Sequence, residues 1–198
     1  PGFAELLCSF TLCAWNVCVR PHGGYSGTAI LSKRTPSHIT LGLPDSLDGH
    51  LNDEGRVITL HFKDCDVVGV YKPCSAFSTE NMLRRLNFDK CFHNYLKTLK
   101  KELLVLGDLN IAHTDHDIST VRTWIPKDTP EHLMPSATPE ERKAHQDLLD
   151  DCNLVDAYVS THTETPYHLT WHPEPNRLRQ LQGVGMRLDL ILVSQALL

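Results

Sequence analysis

Asp108 and Asn110 stand two positions apart at the end of Leu103-Leu104-Val105-Leu106-Gly107-Asp108-Leu109-Asn110. A carboxylate can take a proton from water, and a carboxamide two residues away can hold that water or an oxyanion. Alternate residues of an extended chain share a direction, so Asp108 and Asn110 can face one ligand while Leu109 turns to the core. Gly-Asp-x-Asn after a strand is also ordinary turn chemistry, and the pattern alone supports both readings. His113-Thr114-Asp115-His116-Asp117 is likewise open between a transition-metal site and a polar loop.

Such groups need a rigid support, and the apolar run 103–106 reads as a strand covered on both faces. Residues 10–19 (FTLCAWNVCV) and 25–32 (YSGTAILS) also read as strands, separated by Pro21-His22-Gly23-Gly24. A polar loop with Pro44, Asp45 and Asn52 follows. Residues 56–62 set Ile58, Leu60 and Phe62 against Thr59 and His61, and 67–71 is the hairpin partner across Lys63-Asp64-Cys65. Residues 169–171 and 188–193 are the last strands. Met82, Leu83, Leu86, Cys91, Phe92, Tyr95, Leu96 and Leu99 recur at helical spacing, which places Arg84, Arg85, Lys90 and Lys97 outward. Thr138-Pro139-Glu140-Glu141 is a capping box opening a helix through about Asp150. Pro126, Pro130 and Pro135 mark 119–136 as a surface insertion. Hairpin strands with helices laid over them predict an α/β sandwich of two sheets.

The 198 residues suit one domain, 1–198, with a substantial core. Nineteen Lys and Arg against twenty-four Asp and Glu leave a net charge of −5. That balance excludes a protein held on nucleic acid by charge alone, so any contact with DNA must be local and shaped. No span reaches the ~20 uncharged apolar residues of a membrane helix. Residues 3–19 come closest, but Glu5 and Asn16 interrupt them and no basic start precedes them. Seven cysteines, with Cys8, Cys13 and Cys18 at equal spacing, match no small disulfide framework and read as free thiols in a reducing, intracellular compartment.

Six segments stand in one order: Trp15-Asn16-Val17, Gly24-Tyr25-Ser26-Gly27, Asp53-Glu54-Gly55-Arg56-Val57-Ile58, Tyr71-Lys72-Pro73, 107–113, and Gly185-Met186-Arg187-Leu188-Asp189. Together they resemble the exonuclease III-type AP endonucleases of the endonuclease/exonuclease/phosphatase superfamily. The resemblance implies a four-layer α/β sandwich, two packed mixed sheets flanked by helices. It also implies Mg²⁺-dependent hydrolysis, with Mn²⁺ as an alternative, of double-stranded DNA 5′ to an abasic site in base-excision repair, by a monomer in the nucleus, with cytoplasm and mitochondrion as alternatives. In its terms Asp108 activates the attacking water, Asn110 bonds beside the scissile phosphate, and the Tyr71 hydroxyl reaches that phosphate. Asn16 stands beside the metal, and Asp189 orients the catalytic histidine. Tyr25, Thr170, Trp171, Met186 and Leu188 fall on the substrate side. Outside the resemblance, Asn16 also reads as a strand-end cap, Tyr71 as a sheet tyrosine, Tyr25 as a turn residue and Asp189 as a core partner of Arg187.

The departures from the family pattern are specific. Only Cys18 to Gly23 intervenes where the family carries Gln-Glu-Thr, whose glutamate is the principal metal ligand, and the expected aspartate ligand is Cys18. The terminal Ser-Asp-His is not reached before Leu198, and the chain begins with Pro1. Cys74 replaces an asparagine, while Thr170 and Met186 replace aromatics of the abasic-sugar pocket. Asn16 and Asp108 alone make a poor Mg²⁺ cage. His22, Glu54, His113 and His116 are the replacement ligands the sequence offers, and Arg84 and Arg85 lie near a region that approaches DNA in the family. The expectation is an incomplete domain lacking a segment near 18–23 and its C-terminal end. Its alternatives are the same fold on another phosphoester, or a remnant that binds DNA or protein without cutting.

Overall fold

The computed structural model describes residues 11–17, 25–43, 53–120, 125, 127–130, 134–162, 168–173 and 183–198. Along them run β1 (Leu12–Val17), β2 (Gly27–Ser32), β3 (His38–Leu41), β4 (Val57–His61), β5 (Cys65–Tyr71), α1 (Thr79–Thr98), β6 (Glu102–Asp108), α2 (Pro139–Cys152), β7 (Leu154–Asp156), α3 (Ala157–Thr161) and β8 (Asp189–Ser194). Strands β1 and β2 pair antiparallel, and the rest form a six-stranded sheet in the order β3-β4-β5-β6-β8-β7. β5 and β6 run parallel, as the α1 crossover between them requires, and the other neighbours are antiparallel.

Period-two alternation gives each face of the large sheet a different neighbour. Val57, Val68, Val70, Val105, Leu190 and Leu192 pack with Phe88, Phe92 and Leu96 of α1 and Leu148 of α2. On the same face Thr59 Oγ1 meets the Tyr95 hydroxyl at 2.7 Å. The opposite residues Ile58, Leu60 and Val67 pack with Ala14, Ile30 and Ile39, so β1 and β2 lie over β4 and β5. Gly69 leaves room for that approach: a Cβ there would stand 3.0 Å from Ile30 Cδ1. Hydrogen bonds from Asn16 Nδ2 to the Val57 carbonyl (2.8 Å) and from Thr28 Oγ1 to that of Gly55 (2.9 Å) tie the two sheets together. Three of the four expected layers are thus among the described residues.

The helix starts follow local chemistry. Ser78 Oγ accepts from the Asn81 amide and caps α1. Thr138 and Glu141 form the reciprocal capping box of α2, with Pro139 in the first turn. Several expectations need correction. Residues 38–41, read as loop, form an edge strand, because pairing with β4 satisfies backbone groups whatever the side chains. Residues 169–171 contribute only an isolated bridge, Trp171 to Met186. On α1 the outward Arg85 is fully buried and the inward Leu83 is 65% exposed. The helix turns that face inward because Arg85 finds carbonyl and carboxylate partners there. The end of the supposed surface insertion, Met134 and Ser136, is buried. Cys8, Cys18 and His22 lie outside the described residues.

Gly107 links this ladder to its chemistry. It has φ +136°, and a Cβ there would meet the Val70 carbonyl oxygen at 2.1 Å. Gly107→Ala is therefore expected to cost at least about 2 kcal/mol of unfolding free energy, read as a lower urea midpoint. An unchanged midpoint would show that the ladder relaxes at this point.

Candidate active site

Register assembles the site. Tyr71 at the end of β5 pairs with Asp108 at the end of β6, and Asp108 pairs with Asp189 at the start of β8. Directly paired residues project from the same face, so the three form a row across neighbouring strands on the face opposite the helices. The chain leaving Asp108 then turns sharply. Leu109 is fully buried, and Asn110 takes a left-handed conformation at φ +48°. An asparagine tolerates that geometry better than most residues. The Asn110 amide donates to Asp108 Oδ1 at 2.9 Å, and Asn110 Nδ2 donates to the Lys72 carbonyl at 2.8 Å and to Asp108 Oδ2 at 3.3 Å. Both Nδ2 hydrogens serve the loop and the carboxylate, so Asn110 orients Asp108.

A hollow of about 370 Å³ opens over this turn. Tyr71, Asp108, Asn110, Trp171, Met186 and Leu188, six of the candidates named from the sequence, line it. So do Cys74, Phe77, Met134 and Ser136. Sequence reasoning assigned Cys74 no chemistry and missed the other three. Met134 and Ser136 arrive through the chain that backs onto 110–112, where the Ala112 amide donates to the Ser136 carbonyl at 2.6 Å; no local pattern encodes that approach.

Other candidates stand beside the hollow. Thr170 does not line it, and its Oγ1 accepts from the amides of Leu188 and Asp189, both at 3.0 Å, holding the entry to β8. Asp189 is exposed. It is not the core partner of Arg187, which pairs with Asp117 at 2.7 Å and Asp156 at 2.8 Å. Asn16 spends its amide on the sheet-to-sheet bond to Val57. Tyr25 is 63% exposed, and the Arg56 guanidinium lies 5.6 Å from its ring and 4.7 Å from that of Tyr71. Arg56 also donates to the Tyr71 carbonyl at 3.0 Å. It had no assigned role in the sequence reading, yet it fixes the tyrosine by cation–π contact and hydrogen bond.

Burial sets the electrostatics. It pushes the Asp108 carboxyl up to about 6, with the Asn110 amide opposing, the Asp189 charge adding, and Arg85 and Arg56 opposing. Burial also raises the Tyr71 phenol against the pull of Arg56. The site therefore holds a base that ionises near neutral pH beside a hydroxyl that keeps its proton.

Among the described residues no group of three or more His, Cys, Asp or Glu could hold a metal ion. Glu54, a candidate replacement, is buried with Oε2 committed to Arg56 at 2.6 Å and to Arg84. His113 packs edge-on against His145, with ring centroids 4.9 Å apart. The described donors thus do not make a resident cation site.

A family model described as the Endonuclease/Exonuclease/phosphatase family matches residues 3–198. The chain belongs to this family. It is 30% identical over 185 residues to an exodeoxyribonuclease of Bacillus subtilis, covering 92% of the chain and 68% of the relative. It is also 30% identical over 186 residues to a DNA-(apurinic or apyrimidinic site) endonuclease of Arabidopsis thaliana, covering 87% and 51%. The chain thus spans between about half and two thirds of the length of these relatives. Among solved structures, the 3′ phosphatase NExo from Neisseria, bound to a product DNA hairpin, superposes with a TM-score of 0.76 at 26% identity, over 99% of this chain and 71% of its own. The mixed α/β architecture with two sheets is that of its structural neighbours. The family is generally metal-dependent.

The raised Asp108 carboxyl has a consequence for stability. Below about pH 4 the group is protonated both folded and unfolded, and it contributes nothing. Between about pH 4 and 6 the unfolded chain gives up this proton while the folded protein keeps it, so stability falls through that window and stays lower by a constant amount above about 6. Asp108→Asn is expected to stabilise the protein by about 1–2 kcal/mol at pH 8 and by close to nothing at about pH 3. Thermal melts at both pH values check this, and equal shifts at the two would show that the effect is not ionisation.

Proposed function

We propose that this protein hydrolyses phosphoester bonds in DNA by water attack, and that its preferred target is the backbone 5′ to an abasic site in duplex DNA. The observation that carries the reading is the Asp108 carboxylate, half sheltered in a hollow and poised near pH 6 beside the Tyr71 hydroxyl. Asp108 accepts a proton from water while the water oxygen bonds to phosphorus and the ester P–O bond breaks. Asn110 holds Asp108 in aim through its amide and Nδ2. Tyr71, protonated and braced by Arg56, donates to a phosphoryl oxygen. Phe77, Trp171, Met186 and Leu188 offer the apolar wall for the sugar side of the substrate.

Family membership supports the reaction class, and the names of the Arabidopsis and Bacillus relatives support DNA as substrate. We take Mg²⁺ as the cation, with Mn²⁺ as substitute; it would screen the phosphate. Mg²⁺ keeps several waters and substrate phosphate oxygens as ligands, so it would be held with the DNA rather than in a cage of the described side chains. The described cysteines Cys65, Cys74, Cys91 and Cys152 are all free, which supports a reducing compartment, and for a repair enzyme we place it in the nucleus. One observation favours a second reading, binding without cleavage: the described residues present no cation-holding group.

The test is incision of an abasic duplex with and without Mg²⁺, beside intact and 3′-phosphorylated duplexes. The expected result is cation-dependent cleavage at the abasic site that Asp108→Ala lowers by about 10²–10⁴-fold. Cleavage indifferent to Asp108→Ala rejects the mechanism. Equal cleavage of all three duplexes rejects the abasic preference. Binding without cleavage under every condition leaves the scaffold reading. In an active chain, kcat/KM should fall tenfold per pH unit below about 6, where Asp108 takes up its proton.

A further inference from the structure

Behind the hollow, on the helix side of the sheet, lies a charged cluster with no direct part in the chemistry. Arg85, Lys72, Asp89 and Glu141 are each 5% exposed or less. A buried guanidinium is expensive unless its N–H groups are all usefully spent. Arg85 Nε donates to Asp89 Oδ2 at 2.7 Å. Its Nη1 donates to the carbonyls of Pro73 at 2.9 Å and Asn110 at 2.8 Å, and its Nη2 to that of Leu109 at 2.9 Å. Pro73 belongs to the loop leaving Tyr71, and Leu109 and Asn110 to the loop leaving Asp108. One side chain therefore bonds the backbones of both loops at once.

Asp89 completes the link. Its Oδ1 lies 2.8 Å from Lys72 Nζ. The Lys72 amide donates to the Asp108 carbonyl at 2.9 Å, and the Lys72 carbonyl accepts from Asn110 Nδ2. Burial opposes ionisation of Asp89, but Arg85 and Lys72 overcome it and hold the carboxyl below its usual range, so the cluster stays charged. Buried ion pairs are a poor source of stability but a good source of fixed geometry. The partners chosen here are backbone carbonyls of the two loops that carry the reacting side chains.

We propose that Arg85, with Asp89, is a positioning residue that fastens the loop after β5 to the loop after β6, so that the Tyr71 hydroxyl and the Asp108 carboxylate keep one spacing without either acidic or basic partner touching substrate. This rests on the assignment of Asp108 as the base. A displacement of about 1 Å between reacting groups can cost 10²-fold in rate, so such a fastening acts on kcat and leaves substrate binding to the surface of the hollow.

Two variants test it. Arg85→Lys keeps the charge but loses the planar fork, and Asp89→Asn keeps the shape but loses the charge. Amide hydrogen exchange is followed at Lys72 and Asn110, which lie in the two loops, and at Val105 in the strand behind them. The expected result is exchange at least tenfold faster at both loop amides with Val105 unchanged, and a kcat at least tenfold lower with KM within twofold. Wild-type exchange in the loops, or wild-type kcat despite faster exchange, overturns the proposal. Loss of protection at all three amides together also overturns it, since the role would then be general stability. If Arg85→Lys does not fold, Asp89→Asn decides by the same readings. If the wild-type protein cleaves no DNA, the functional assignment fails on its own, and the contrast between loop and strand exchange still decides the fastening.

Discussion

Strand β6 depends on its two unlike neighbours, parallel β5 on one side and antiparallel β8 on the other. A slip of one residue in either pairing would turn Asp108 from the open face to the helix-packed face. The register is held by burial on that packed face, where Val68, Val105 and Leu192 lie in one row among the phenylalanines of α1. Tyr71, Asp108 and Asp189 form the parallel row at the strand ends. The position of the reactive groups is thus a by-product of core packing, and the apolar residues of the sheet specify it more tightly than the polar residues do.

The same placement sets a conflict between stability and reactivity. Asp108 is sheltered enough that ionising it costs the fold, and Asp189 across the ladder adds to that cost. A carboxylate that is costly to charge is also a base that binds a proton near neutral pH. The tyrosine beside it is treated oppositely, since burial raises its phenol and keeps it a donor. One patch of protein thereby carries an acceptor and a donor at the same pH. The net charge of −5 lends this site no long-range attraction for a polyanion, and the nearby Arg56 and Arg84 are already held by the Glu54 carboxylate.

Arg85 shows why helical periodicity misjudges charged residues. On α1 it falls where spacing predicts solvent, and a guanidinium normally belongs there. Yet the loops after β5 and β6 both present carbonyl groups to the helix side, and unpaired carbonyls in that interior would be costly. A long, planar, multiply donating side chain satisfies several of them from one position. Leu83 gives up the inward place in return and stands exposed. Glu54 follows the same logic, its carboxylate closed off by Arg56, two positions on, and by Arg84, which only the fold brings near.

Local chemistry alone determined a good part of this protein. The strand of apolar residues 103–106, the hairpin of β4 and β5 and the α2 capping box all follow from side-chain periodicity and turn residues that act within a few positions. The turn that carries Asp108 and Asn110 was legible for the same reason. What the chain's order of residues could not reveal was decided by contacts between distant segments. The edge strand at 38–41 exists because β4 offers it a ladder. The bridge at Trp171 stays isolated, and Ser136 and Phe77 join a hollow whose walls come from separate loops. The Asp108 carboxyl moves to about 6 because folding removes water from it. Hydrophobic period and capping are local properties, whereas burial and the company of a charge exist only once remote parts of the chain have met.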